Sequence, residues 1–421
     1  MLRPAVALTL LCLLTVCVPA AAQTPDRLAR QAERLRVFID DCGHGCFEDY
    51  LRDEITFVDF VRQAQDADVH LLSTSTDTGG GGRELVLRFV GRGRFAGHDE
   101  ELRVVSLAGD TENMRRAQVR RTVEVGLLAF MAREGIPAGV AVSVEAERSE
   151  AEAPVEDPWN AWLFSIRTSA DYQAEESAKD RSIDINLGAD RITEAWKLTF
   201  GASLDYSTEE FNLDEDEPLK AVRKERDADW FIARSLGPHW SAGFDGRVES
   251  STFGNTKFSY DMAPAVEYSV FPYEEYATRQ LRLQYALGVR HAEYNEITLY
   301  GRRDETHPVH EASVTLDQRQ PWGSLEARLE FFQYLHDLSF YRLEVSGDLS
   351  FRIIRGLSLT LEGRASRVRD QLSLPRRGAT DEEVLLRLRE LQSSYELEID
   401  IGFTYSFGSL FNNVVNPRFG R

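Results

Sequence analysis

The stretch Ser324-Leu325-Glu326-Ala327-Arg328-Leu329-Glu330-Phe331 places an apolar side chain at every second position and a polar or charged one between. That is the period of a β-strand, whose side chains point alternately to two faces; a helical face recurs every three or four residues. The pattern returns along the chain. Tyr341, Leu343, Val345, Gly347, Leu349 and Phe351 alternate with Arg342, Glu344, Ser346, Asp348, Ser350 and Arg352, and Leu357, Leu359, Leu361, Gly363 and Ala365 with Ser358, Thr360, Glu362, Arg364 and Ser366. Near the end Tyr395, Leu397, Ile399, Ile401, Phe403, Tyr405 and Phe407 interleave with Glu396, Glu398, Asp400, Gly402, Thr404 and Ser406.

Reading outward from these segments predicts strands over 161–175, 182–189, 196–211, 222–236, 240–251, 256–271, 278–292, 309–318, 323–335, 339–353, 357–369 and 394–407. The fourth is the least regular, because Arg234 falls on its apolar face. A soluble β-sandwich also alternates, but its strands average about five or six residues, whereas a tilted membrane strand needs about nine or more. All six tryptophans lie between Trp159 and Trp322, and Trp162, Trp196, Trp240 and Trp322 stand at strand starts, as an aromatic girdle requires. Tight connections at Gly237-Pro238, Gln320-Pro321 and Arg355-Gly356 would face the periplasm; long ones at Asp214–Lys220, Tyr294–Pro308 and Gln371–Leu391 would face outward. In the last of these, Thr380 and Glu383 form a capping box ahead of Val384, Leu385, Leu388 and Leu391. The expectation is an antiparallel transmembrane β-barrel over 159–407, of about 12 strands.

Composition alone would not give this. The 421 residues hold 49 Lys plus Arg and 69 Asp plus Glu, a net charge of −20, with 43% hydrophobic residues. Such a balance argues against a nucleic-acid partner, because phosphate would be repelled. After the N-terminus no apolar run approaches the length of a membrane helix, which leaves a barrel untouched. With the apolar positions toward lipid, the other face carries Asp205, Arg247, Glu249, Arg282, Arg290, Glu326, Arg328, Glu330, Arg342, Glu344, Asp348, Glu362, Arg364, Glu396, Glu398 and Asp400. Cross-strand Arg–carboxylate pairs would seal a small lumen; charged rings around a narrow polar pore are the rival reading. A hydrolase is a third class, with His291, His307, His310, His336 and Asp337 near strand ends, though their spacing alone assembles no catalytic set. No cofactor or metal is expected.

Met1 to Ala22 has Arg3, an apolar run from Ala5 to Val18 and the small-residue ending Ala20-Ala21-Ala22, the pattern of a secretory signal peptide. A lipoprotein signal at Cys17 is disfavoured by Val16 before it. The exported chain then keeps Cys42 and Cys46 in Asp40-Asp41-Cys42-Gly43-His44-Gly45-Cys46, which an oxidising compartment favours as a disulfide. Zinc held by Cys42, His44 and Cys46 is the alternative, without a second ligand cluster.

Residues 23–147 mix the two periods. Strands at Arg36–Asp40, Val69–Thr74, Glu84–Val90, Leu102–Leu107 and Gly139–Val144 are separated by a helix through Phe47, Leu51, Ile55 and Val58 and another through Val119, Val123, Leu127 and Phe130. The order is β-α-β-β-β-α-β, a small α/β domain. Gly79-Gly80-Gly81-Gly82 lacks the Lys-Ser/Thr of a phosphate loop and reads as a hairpin turn. Residues 148–158 are charged, poor in apolar residues and read as a linker; 408–421 form a tail.

Two resemblances follow. With Asp66-Ala67-Asp68-Val69-His70-Leu71 entering the second strand, the element order over Thr24–Glu147 resembles the periplasmic N-terminal domain of TolB and the related CsgG core, which implies a docking module for periplasmic partners. The end of the last strand, with Gly402, Tyr405 and Phe407, looks like the assembly signal of bacterial outer-membrane barrels, which implies the barrel assembly machinery and outer-membrane lipid of a Gram-negative cell as partners. The combined expectation is a non-enzymatic outer-membrane barrel that anchors a periplasmic docking domain, with a porin-like channel as alternative.

Overall fold

The computed structural model describes residues 34–40, 45–134, 157–211, 219–354, 357–378 and 391–405. The signal segment, Cys42, His44, the strand expected at Gly139–Val144, the linker up to 156, the capping box at Thr380 and Glu383, Phe407 and the tail lie outside them.

The first unit is a five-stranded mixed sheet in the order β2-β1-β3-β4-β5. Its strands are β1 (Arg36–Ile39), β2 (Asp59–Phe60), β3 (Val69–Asp77), β4 (Arg83–Gly91) and β5 (Asp99–Ser106), with helices α1 (Glu48–Glu54) and α2 (Glu112–Glu134). β1 runs parallel to β2 and β3, and the β3–β4–β5 meander is antiparallel. The helix expected to run on through Val58 ends at Glu54. Asp59 and Phe60 instead pair with Arg36 and Val37, so a two-residue strand replaces its last turn. The β-branched Ile55, Thr56 and Val58 favour that extension. One sheet face meets the helices: Val37, Ile39, Val69, Leu71, Leu85, Leu87 and Phe89 close with Leu51, Val123, Leu127 and Phe130 into an apolar core. Cys46 is buried in the same core.

The second unit is a twelve-stranded antiparallel sheet in strict sequence order. Its strands are β6 (Trp162–Ala174), β7 (Ala178–Ile192), β8 (Trp196–Phe211), β9 (Leu219–Ser235), β10 (Trp240–Ser251), β11 (Thr256–Ser269), β12 (Arg279–Tyr294), β13 (Asp304–Gln320), β14 (Gly323–Tyr334), β15 (Tyr341–Ile354), β16 (Leu357–Val368) and β17 (Tyr395–Tyr405). All twelve expected strands are present. The second and eighth extend beyond their expected ends, since Ala178–Arg181 and Asp304–Pro308 find partners on β8 and β12. Residues from β8 to β15 line one cavity, so the sheet curls around an interior. Among the described residues β6 and β17 pair with no strand beyond their inner neighbours, and the sheet has a seam there.

Connections do not alternate cleanly between short and long. Residues 193–195, 236–239 and 321–322 turn tightly at one end, but the same end carries the longer 270–278, with a 3-10 turn at Tyr273–Glu275. This end meets the first unit, and the longer connection makes much of the contact. Outward-facing Trp162, Trp196 and Trp240 crown it, Trp162 stacked against Phe164 at 5.9 Å and Trp240 tilted on Tyr268 at 4.8 Å. Arg234 sits in this belt with its guanidinium 5.4 Å from the Trp196 ring, which explains a cation on an apolar face.

Candidate functional site

The candidate site is the polar interior of the curled sheet together with what covers its two ends. Strand registers fix which side chains point inward. Arg247 opposes Asp261, Asp261 opposes Arg290, and the same alternate positions continue along each strand. Arg247, Arg282, Arg290, Arg328, Glu330, Arg342 and Glu344 border a cavity of about 1110 Å³. Glu249, Glu326, Asp348, Glu362, Arg364, Glu396, Glu398 and Asp400 share this face by register.

From β9 to β12 arginine and carboxylate alternate directly across the strands, in the order Asp229, Arg247, Asp261 and Arg290. From β13 to β17 the charges are instead sorted into rows mostly of one sign. Asp317, Glu326, Asp348, Glu362 and Asp400 lie directly opposite one another on five adjacent strands. Two residues along, Arg282, Arg328 and Arg364 occupy the next row, which ends on Glu398 opposite Arg364, and Glu330, Glu344 and Glu396 occupy the one after. In these rows the ion pairs form along strands and diagonally: Arg328 to Glu330 at 2.7 Å, Arg364 to Glu344 at 3.4 Å and Arg319 to Glu326 at 3.6 Å. Like charges directly opposite are unfavourable. Diagonal neighbours of the other sign offset that cost.

At the end away from the first unit, loops fold over the opening. Asn255, at φ 55°, donates from Nδ2 to the carbonyls of Ser373 (2.7 Å) and Glu296 (3.2 Å), and its Oδ1 accepts from the Glu296 amide at 2.8 Å. One side chain thus ties three connections together. Leu372 packs with Val309 and Tyr334 beneath them, and Asp370 holds Arg342 at 3.0 Å. Arg290 binds Asp261 and lies 4.6 Å from the Phe332 ring. Asp261, Asp370 and Asn255 carried no signal in sequence, because their partners are distant in the chain.

At the other end stands the α/β domain. The sheet face without helices carries Phe38, His70, Leu72, Thr74, Glu84, Val86 and Arg103, and it lies against the strand ends. Thr74 Oγ1 donates to the Ala277 carbonyl at 2.9 Å, and Arg319 donates to that of Ser73 at 3.3 Å. Tyr276 donates to Glu84 while Arg103 sits 5.7 Å from its ring. Burial first, and then Glu84, push the Tyr276 hydroxyl up to about 12, so it remains a donor at neutral pH. Across the mouth, Arg352 binds Asp40 and stacks 5.3 Å from Phe38. Asp40 also accepts from His70 Nε2 at 2.9 Å. Burial, helped by Arg92, lowers the His70 pKa to about 4, leaving a neutral imidazole. The glycine turn reaches β6 and β7: a Cβ on Gly79 would stand 2.6 Å from that of Ile192, and one on Gly81, at φ +73°, 2.8 Å from Leu163. Contacts on β6, β7, the 270–278 connection, β13 and β15 span the opening.

Of the histidines considered for catalysis, His307 and His336 come together, while His291 and His310 stand apart on the outward face. His291 Nδ1 pairs with Thr306 at 2.7 Å and His310 Nε2 with Gln333 at 3.0 Å, both on the outward face by register. His307 binds Glu305 at 2.8 Å and stacks on His336 at 3.5 Å, and Asp337 accepts from the Ser339 amide at 2.9 Å. Burial and the neighbouring His307 lower the His336 pKa.

No family model and no curated protein matches this sequence. Among solved structures, the chain is similar to the NanC porin at 10% identity, covering 58% of this chain and 100% of that one with a TM-score of 0.28. It is similar to the translocator domain of the autotransporter NalP from Neisseria meningitidis at 12% identity, covering 58% of this chain and 82% of that one with a TM-score of 0.20.

Proposed function

We propose that this chain is a non-enzymatic outer-membrane β-barrel that carries its α/β domain on the periplasmic mouth and presents that domain's helical face to a periplasmic protein. The observation that carries the reading is the use of both domain faces. One sheet face is closed by α1 and α2, and the other rests on the barrel through Asp40, Thr74, Glu84 and Arg103. Apolar residues on most outward positions, such as Ile166 at 77% exposure and Phe403 at 67%, support lipid rather than water as the surrounding solvent.

Cell fractionation of the full chain tests the location, with recovery in the outer membrane expected. Site-specific crosslinking from exposed Arg115 or Arg121 of α2 tests the docking role. A discrete adduct on this face, absent from probes on outward barrel positions, is expected; equal labelling of both surfaces would end the docking reading.

The cavity of about 1110 Å³ between charged rows supports a second reading, a narrow polar channel. Planar-bilayer recordings separate the two. An anchor covered at both ends gives no stable single-channel steps, and a channel does.

A further inference from the structure

We infer that the seam of the twelve-stranded sheet closes by pairing β6 with β17 of the same chain, lumen face to lumen face, with Arg167 brought against the carboxylate of Asp400. This rests on the membrane-barrel reading and specifies its register.

Both edges carry backbone groups with no strand partner among the described residues, and their outward side chains are the most open in the sheet, with Ile166 at 77% and Tyr395 at 65% exposure. In hydrocarbon each unpaired N–H or C=O costs several kcal/mol, so a spanning sheet needs those edges paired. Direction permits it. β6 starts and β17 ends at the domain-covered mouth, so the two are antiparallel neighbours, as an even strand number requires.

The registers then fix the stagger. A row of directly paired residues begins at Tyr395, passes Leu343, Tyr285 and Ala242, and leaves the sheet at Trp196, at the opposite end of β8. Continued across β7 and β6 in their own registers, it meets position 160, before β6 begins. All of β17 finds partners on β6 only if Tyr395 faces Tyr172 or Ala174, which lie twelve or fourteen positions further along. Spread over twelve strands about 4.8 Å apart, with a rise of about 3.4 Å per residue, either stagger tilts the strands by about 35 to 40°. Membrane barrels tilt by that amount. A stagger of thirteen is excluded, since it would set lumen residues against lipid residues.

Charge picks the same partner. The carboxylate row from Asp317 to Asp400 ends at the seam, and Arg167 is the sole lysine or arginine of β6. In one register Arg167 stands opposite Asp400. In the other Ser169 does, with Arg167 on the diagonal.

Cysteine pairs in the full chain, expressed in a Gram-negative outer membrane and oxidised there, test the closure. Asp400→Cys combined with Arg167→Cys or with Ser169→Cys should give an intrachain disulfide in one of the two, and Asp400→Cys with Thr168→Cys should give none. Glu362→Cys with Asp400→Cys, adjacent in the sheet, is the positive control, and each single variant controls for the native cysteines. Failure of both seam pairs while the control links overturns the closure, and a disulfide-linked dimer through position 400 assigns the edge to a second copy instead. Recovery in the aqueous fraction with the seam link present defeats the membrane reading and leaves the closure standing.

Discussion

The α/β domain and the twelve-stranded sheet are built from similar alternating strands with opposite sidedness. In the domain Leu87 and Phe89 are fully buried while Arg88 points away from the core; in the sheet Ile399 and Ile401 are about 60% exposed while Glu398 and Asp400 face the interior. Period two therefore says that one face differs from the other, and nothing about which face is inside. What decides is the partner available to the apolar face: helices α1 and α2 in the first unit and, on the proposed membrane reading, hydrocarbon in the second.

The largest expected effect tests that difference by truncation. Phe130→Ala removes a fully buried ring from the domain core and should destabilise the domain by about 3–5 kcal/mol. Ile399→Ala, on an outward position, should cost about 1–2 kcal/mol on the membrane reading, the water-to-hydrocarbon transfer alone, because lipid chains leave no cavity. Hydrogen exchange of the α2 amides reads the first, and tryptophan fluorescence reads the second, since all tryptophans lie at or beyond Trp159. Equal penalties would erase the distinction between the two cores. Charge insertion comes next. Val345→Arg, midway along the outward face of β15, should weaken folding into lipid vesicles by about 2–4 kcal/mol in a urea titration, and a variant indistinguishable from the parent would mean that this face does not meet lipid.

Acidification should act on the first unit. His70 is neutral in the folded domain, with its pKa lowered to about 4, and it would titrate near 6.5 once unfolded. Between those values the unfolded chain binds the extra proton, so stability is full above about pH 6.5 and falls by up to about 3 kcal/mol as pH drops toward 4. Thermal unfolding followed by α2 exchange from pH 7 to 4 should show this slope, and His70→Gln should flatten it. An unchanged slope would assign the pH dependence to other groups.

The twelve strands were legible because each carries its own period, and strand ends were read to within a few residues wherever a turn glycine, proline or tryptophan marked them. The ion rows were not. Glu326 and Asp348 look alternately spaced with Arg328 and Arg352 along the sequence, and only the register shows that carboxylates meet carboxylates. The short strand β2 was hidden inside a helical spacing, because Val58 and Val61 suit the core from either conformation. The junction was invisible for a simpler reason. Asp40 and Arg352 are 312 positions apart, and nothing in the sequence around either points to the other.

That junction gives the smallest and most selective effect, at the glycine turn. In an isolated hairpin Gly79 would be replaceable, since its φ is not among the positive ones and the turn needs a left-handed residue only at Gly81. Docked on the sheet it is not, because a side chain there meets Ile192. Gly79→Val should therefore leave the α2 amides as protected as in the parent while destabilising the domain–barrel contact by about 1–2 kcal/mol, the cost of overpacking at an edge that can partly give way. Exchange at residues 74–82 and proteolysis within that turn, measured on the full chain in lipid, should both accelerate. Ile192→Gly should restore part of the protection by removing the Cβ that stands 2.6 Å from the new one. If Gly79→Val changes neither rate, the turn does not bear on the barrel, and the domain is held by Asp40, Thr74 and Glu84 alone.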